Sequence, residues 1–456
     1  MNLPTTRRIV AGALVLATLA TACSSSDSEP LAEADPPTTT LVVASPAATA
    51  PDAIDLGGRI TGADLPDDLP AITVEGAGQG RQPGWTLFNL RRFGGPDTDT
   101  VSWVVMTDEQ GSIRWLVEEP GAVGLTTLTP RGHVLYILDD HTIREVDLDG
   151  NLVREYVSDA SPDAPTGPHP IIPVDVENFH HEVTVLPDGN LLVLASETAI
   201  VESTEPLCDD ADTFDGTYKV IGDEVVEIDA GTGEVHSRRS LFSVFDPVAT
   251  PGTDFCAFGA PFGPFPDDPE ANDWSHANAA SIGPDGEIVV SIRHLETVLA
   301  WPGDDPDADP LWVFGPSGTI VAPAGDEFWH QHAPEVLADG TLLVYDNGNG
   351  RTDATGEVID PPFSRVAQYR LGTDQAELIW EYRRSSRDLP VYAPAVGDVD
   401  RLANGNTLIV DGFIGLERAE IVEVSPDGDV VERMSVAVPD ERWLVYRAER
   451  IDAPAN

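Results

Sequence analysis

Phe328-Trp329-His330-Gln331-His332-Ala333-Pro334-Glu335-Val336-Leu337-Ala338-Asp339-Gly340-Thr341-Leu342-Leu343-Val344-Tyr345-Asp346-Asn347-Gly348 joins two histidines to a strand, an Asp-Gly turn and a second strand. Glycine takes the positive φ of a tight turn without steric cost, so Asp339-Gly340 between aliphatic runs reads as a hairpin. The pattern recurs at Thr129-Pro130-Arg131-Gly132-His133-Val134-Leu135, Leu186-Pro187-Asp188-Gly189-Asn190-Leu191-Leu192, Gly283-Pro284-Asp285-Gly286-Glu287-Ile288-Val289 and Leu402-Ala403-Asn404-Gly405-Asn406-Thr407-Leu408. A second hairpin follows each one: Ile143 to Tyr156, Val225 to His236, Val298 to Trp312, Val366 to Trp380 and Ile421 to Met434. A sixth, Trp103 to Trp115, comes before the first complete pair, which leaves Ile72 to Leu90 as its expected inner hairpin. Two hairpins make a four-stranded sheet, and a sheet repeated in tandem buries its faces only against its neighbours. The expected fold is all-β, a six-bladed β-propeller of four-stranded blades, with Trp443 to Ile451 helping to close the ring.

Composition agrees with a large β domain. Of 456 residues 41% are hydrophobic, enough for a sizeable core, and 39 Pro with 40 Gly favour many turns over long helices. Asp plus Glu number 78 against 26 Lys plus Arg, which excludes a general nucleic-acid partner. A net charge of −52 also repels an anionic substrate unless a local cationic cluster overcomes it.

Arg7-Arg8 followed by the apolar run Ile9 to Ala22 reads as an export signal over residues 1–22, too short for a comfortable membrane span. Cys23 stands where a bacterial lipoprotein is cleaved and lipidated, with an ordinary secretory signal as the alternative. Residues 23–55 read as a lipid-anchored flexible tether and 56–456 as the propeller, facing the extracytoplasmic side of the cell membrane. The export route, general or twin-arginine, stays open. Inner hairpins recur at intervals that widen between Asp188 and Asp285, so an insertion is expected at about 203–272. It carries Cys208 and Cys256, a natural disulfide pair in an exported protein.

Set in register on their turns, His181 and His332 each fall seven residues before Asp188 and Asp339, and His276 falls nine before Asp285. All three are expected at the start of an innermost strand, on one rim of the central channel. Arg293, eight residues after Asp285, returns to the end where His276 begins. His330 has no counterpart in this register. Three imidazoles could hold a metal, but Arg293 suits an oxyanion better, and no zinc or calcium motif accompanies them. No metal and no cofactor are expected. Arginine and imidazoles together can stabilise charge on a transferred sulfuryl or phosphoryl group while one neutral imidazole attacks it.

The segments Asp273-Trp274-Ser275-His276-Ala277-Asn278, Ser291-Ile292-Arg293-His294, Gln331-His332, Tyr345-Asp346-Asn347-Gly348, Arg401 to Leu408 and Tyr446-Arg447-Ala448-Glu449-Arg450-Ile451 together resemble the bacterial arylsulfotransferase family. The resemblance implies a six-bladed propeller that moves a sulfuryl group from a phenolic sulfate ester to a phenol by a ping-pong mechanism, without a nucleotide donor. It implies His332 as the nucleophile that becomes a sulfohistidine, His276 and Arg293 as the grip on the sulfuryl oxygens, and His181 as a further oxyanion contact. Asn278, Asn347 and His180 are implied as substrate contacts, His180 being the substitute for His181. The implied partners are an aryl sulfate donor and a phenolic acceptor, with contact to the membrane through the lipid anchor only. A non-catalytic extracytoplasmic binding propeller and an aryl sulfate hydrolase are the alternative readings.

Overall fold

A computed structural model describes residues 41–42, 65–66, 69–76, 80–92, 100–159, 161, 169–208, 214–256, 271–386, 389–438 and 441–453. The export segment, Cys23 and nearly all of the expected tether lie outside the described residues.

Each expected hairpin pair folds into one antiparallel blade. Blade 2 runs Val123–Leu128, Val134–Leu138, Thr142–Val146 and Leu152–Ser158. Blade 3 runs His180–Val185, Leu191–Glu202, Thr217–Ile228 and Val235–Ser240. Blade 4 is built from Ala277–Ile282, Ile288–Ile292, Thr297–Trp301 and Trp312–Phe314, and blade 5 from His332–Val336, Leu342–Asp346, Arg365–Leu371 and Ala376–Arg383. Blade 6 comprises Asp398–Arg401, Thr407–Ile414, Arg418–Val424 and Val430–Val436. The turn glycines Gly132, Gly189, Gly286, Gly340 and Gly405 all have φ between 78° and 93°, the backbone state for which the sequence places them there.

Blade 1 differs from the expected arrangement. Ile72 to Leu90 does not form its inner hairpin. Ile72–Glu75 instead pairs with Val430–Val436 on the outer edge of blade 6, and Leu41–Val42, inside the expected tether, pairs with Ile72–Glu75 in turn. The innermost strand of blade 1 is Ala448–Ile451, which lies antiparallel to Trp85–Arg92 ahead of Val101–Thr107 and Ile113–Glu119. The two ends of the domain therefore close the ring from both sides, with Trp443 stacked on Trp103 at 5.5 Å between ring centroids. Joining the termini covers strand edges that an open ring would expose.

The strand period of two explains the core. In blade 5, Leu342 and Val344 pack on blade 4 beside Val289 and Val298, whereas Leu343 and Tyr345 pack on blade 6 beside Ile409 and Val422. The other neighbouring blades meet in clusters of the same kind. Both faces of each blade are thus apolar and buried, which leaves polar groups concentrated at the channel rim and the turns.

Extra length between blades 3 and 4 comes from a long central hairpin, Leu191–Glu202 with Thr217–Ile228, and from the crossing that follows Ser240. Cys208 and Cys256 are disulfide-bonded across it with a Cα–Cα distance of 5.5 Å. Closing a loop of this length contributes about 4 kcal/mol in the chain-entropy model.

Candidate active site

The inner strands of blades 3, 4 and 5 are irregular where they begin. Register shifts separate His180 from Val183, Ala277 from Ala279 and His332 from Glu335, while His181, His276 and Ala333 have φ of 56°, 47° and 46°. A bulge with left-handed backbone costs about 1–3 kcal/mol per residue and re-aims side chains. Register by itself does not align the three histidines. Counted from the turn bonds Leu337 N–H to Thr341 O and Gly283 N–H to Glu287 O, His276 stands at the level of His330, and Asn278 at that of His332. The expectation that His330 lacks a counterpart is therefore corrected. With its backbone redirected at φ 47°, His276 has its ring centroid 5.0 Å from that of His181.

His332 is buried, and its Nδ1 lies 2.6 Å from Asn347 Oδ1. The Asn347 amide cannot flip, because its Nδ2 donates to the carbonyls of Ala393 and Val396, both at 2.8 Å. Asn347 Oδ1 must accept, so Nδ1 of His332 carries the proton and Nε2 keeps its lone pair. Burial, then the charge of Arg293, push the His332 pKa well below that of an ordinary histidine, and His276 and Arg447 add to the effect. A neutral imidazole with a defined tautomer is the form a nucleophile requires.

His180 and His181, left unresolved by the sequence, take different parts. His180 Nε2 lies 3.1 Å from Asp223 Oδ1, and its Nδ1 is 2.9 Å from His181 Nδ1. Burial opposes charge on His180, but the bond to Asp223 and the charges of Asp223, Asp140 and Asp273 outweigh it and raise its pKa. His181 is held well below the ordinary value by burial and by the charges of His276, His180, His332 and Arg447. When His180 is doubly protonated, the form its acidic partners favour, its Nδ1 donates to His181 Nδ1 and the proton of His181 sits on Nε2, a donor suited to an oxyanion.

His276 pairs through Nδ1 with Asp273 Oδ2 at 2.5 Å and stacks on His294, 4.5 Å between centroids at 29°. His294 is bonded through Nδ1 to the Asp273 carbonyl at 2.8 Å. Arg293 N–H donates to the His276 carbonyl at 3.2 Å, so the hairpin returns the arginine beside His276 as its spacing implies. Among the described residues, Asp273, His276 and His294 bring potential metal donors within 4.8 Å of one another.

Asn278 is fully buried. Its Nδ2 donates to the Gln331 carbonyl at 2.8 Å, and its own carbonyl accepts from Arg447 Nη2 at 3.1 Å. Arg447 is a second cation of the channel, bonded to Glu182 at 2.8 Å, and its charge acts on both His181 and His332. It lies within the quoted Tyr446-Arg447 segment without being singled out there. Asp273, three residues before His276, is visible in its motif, whereas Asp223 and Asp254 carry no local signal. Glu296 has its pKa pushed up to about 8 by burial and by the charges of Asp346 and Asp254, so at neutral pH it is largely protonated beside His330.

A protein-family model for arylsulfotransferases (ASST) matches residues 92–447, well over half of the chain. Arylsulfate sulfotransferase AssT of Escherichia coli O6:H1 (strain CFT073) is 20% identical over 381 residues, covering 70% of this chain. The alignment spans 58% of the length of that relative. Solved structures similar to the fold include a protein of unknown function from Bacteroides caccae, with TM-score 0.42 and 14% identity, covering 80% of this chain and 100% of that one. A streptogramin B lyase gives TM-score 0.38 and 10% identity, covering 79% of this chain and 86% of its own. Neither structure informs the reading of the site, which rests on the residues and on the family match: this chain belongs to the arylsulfotransferase family.

Proposed function

We propose that the protein transfers a sulfuryl group from an aryl sulfate to a phenol through a covalent intermediate on His332. The observation that carries this reading is the fixed tautomer of a buried, neutral His332, with Arg293 and Arg447 acting on it from the same channel. In the first step the Nε2 lone pair attacks sulfur, the bond from sulfur to the aryl oxygen breaks, and the phenolate takes a proton from His276 or solvent. Arg293, His276 and the Nε2–H of His181 stabilise charge on the sulfuryl oxygens as it develops. In the second step the acceptor oxygen attacks sulfur, the nitrogen–sulfur bond breaks, and the proton of the acceptor phenol passes to His276 or water. His332 returns neutral, with Nδ1 still bonded to Asn347.

An export segment with a lipid-accepting Cys23 would place this chemistry outside the cytoplasm, and the Cys208–Cys256 disulfide supports an oxidising location. Incubation with 4-nitrophenyl sulfate and phenol tests the activity. Nitrophenol release should depend on the acceptor. Equal release without it indicates a hydrolase, and no release indicates a binding propeller.

The depressed pKa of His332 sets a pH dependence. An imidazole at the usual pKa of about 6.5 is protonated in most molecules at pH 5.5 and loses its nucleophilic form. Because burial and Arg293 hold His332 well below that value, it stays neutral as the pH falls through this range. Formation of the sulfuryl adduct, measured by rapid quench and intact mass without acceptor, should change less than about twofold between pH 7.5 and 5.5. A steep loss centred near pH 6.5 contradicts the assignment.

A further inference from the structure

Between blades 3 and 4 the chain crosses the site as a strap. Thr253 donates both its N–H and its hydroxyl to the His294 carbonyl, at 2.9 and 3.2 Å. Gly252 before it has φ 77°, and a Cβ there would stand 2.9 Å from that same carbonyl oxygen, so glycine lets the strap lie this close. Asp254 comes next. Its Oδ2 lies 2.8 Å from His330 Nε2, 3.4 Å from Arg293 Nη1 and 3.8 Å from His294 Nε2. Two residues later, Cys256 is bonded to Cys208, which anchors the strap to the segment joining the long strands of blade 3.

A carboxylate at this position is at odds with simple anion binding. A negative charge beside Arg293 repels the sulfate group that the arginine is proposed to grip, and it partly neutralises the local cationic cluster that a −52 protein needs. Burial also disfavours the charge. The bond to His330 and the charge of Arg293 outweigh burial and keep Asp254 ionised. Its presence calls for a compensating role, and geometry supplies one. A guanidinium on a flexible stem has many orientations, and each bond that restricts them lowers the entropy lost when substrate binds. Arg293 is held by Asp254 on Nη1 and by the Pro394 carbonyl on Nη2, both at 3.4 Å. His330 is held by the same carboxylate oxygen, two residues before His332.

We infer that Asp254 is a positioning residue, whose carboxylate orients the Arg293 guanidinium. This rests on the sulfuryl-transfer reading of the channel. Asp254 touches neither donor nor acceptor in this role; it acts through Arg293.

The test compares wild type, Asp254→Ala and Asp254→Asn, each alone and with Arg293→Ala, by two readouts. One is the affinity for inorganic sulfate from calorimetry, and the other is kcat/KM for 4-nitrophenyl sulfate. Removing a negative charge should by Coulomb attraction alone tighten sulfate binding. Positioning predicts the reverse: Asp254→Ala weakens sulfate binding about tenfold and lowers kcat/KM about a hundredfold. Asp254→Asn, which keeps an acceptor oxygen in place, recovers most of both. In the Arg293→Ala background, loss of Asp254 should cost little more, since both changes remove one interaction. Sulfate bound as tightly or more tightly by Asp254→Ala overturns the inference, as do losses that multiply independently of Arg293. The sulfate pattern without turnover in wild type would sink the transfer reading and leave Asp254 in its role. A wild-type chain that binds no sulfate overturns both.

Discussion

His332→Ala should lower sulfuryl transfer by about 10⁴-fold or more and abolish the covalent adduct seen by intact mass after brief exposure to donor. In the proposed mechanism Arg293, His276 and His181 stabilise charge or move a proton, and these functions survive in part when one member is lost. The attacking atom has no substitute at its position. His330 is near in sequence, but its Nε2 is directed to Asp254 at 2.8 Å, and its Nδ1 faces Glu296 at 3.7 Å. The variant should fold, because His332 makes one side-chain hydrogen bond and packs at the end of a strand whose pairing is backbone-made. Retained transfer with an adduct still present would move the nucleophile to another residue.

Asn347→Leu should have the second largest effect, a fall of about 10³-fold in the rate of adduct formation with donor at saturation. Leucine has the branched shape of asparagine but no acceptor for the Nδ1 proton of His332. The imidazole is then free to place its proton on Nε2, which removes the lone pair from the side that meets sulfur. The Val396 carbonyl also loses its donor, at a stability cost of about 1–3 kcal/mol, whereas the Ala393 carbonyl keeps a bond from the Ser364 hydroxyl at 3.3 Å. Rates must be compared at equal folded fraction, which circular dichroism melts supply. If Asn347 served only to bind substrate, the loss would appear in KM and vanish at saturation. A loss that persists in the single-turnover rate marks the tautomer.

These two residues show how unevenly the site is written in the chain. His332 is legible because it precedes an Asp-Gly turn by the same interval as His181, and a repeat makes such an interval meaningful. Asn347 belongs to the same hairpin, but its bond to His332 depends on carbonyls of Ala393 and Val396 that lie ahead of the next blade. Asp223 and Asp254 are harder still. Asp223 sits on a middle strand of blade 3 and reaches back to His180 and forward to the Ser275 hydroxyl and the Ala277 N–H, the last two at 2.6 Å. Such contacts join residues about fifty positions apart, and no local pattern encodes them.

Sequence alone determined the blades, because strand period, turn glycines and the tandem repeat are local properties that survive without knowledge of neighbours. It also placed His181 and His332 at the same interval before their turns and returned Arg293 to the end where His276 begins, which is as far as spacing alone reaches. Tertiary structure decided how the ring closes: Ala448–Ile451 completes blade 1 while Ile72–Glu75 leaves for the edge of blade 6, because the pairing of the two ends depends on where the sixth blade brings them. It decided the division between His180 and His181 through Asp223, and it brought His276 to His181 by left-handed backbone where strand register would have kept them apart. The physical reason is the same in each case. Fold follows from short-range preferences repeated many times, whereas protonation, tautomer and aim of a catalytic side chain follow from single contacts between distant parts of the chain.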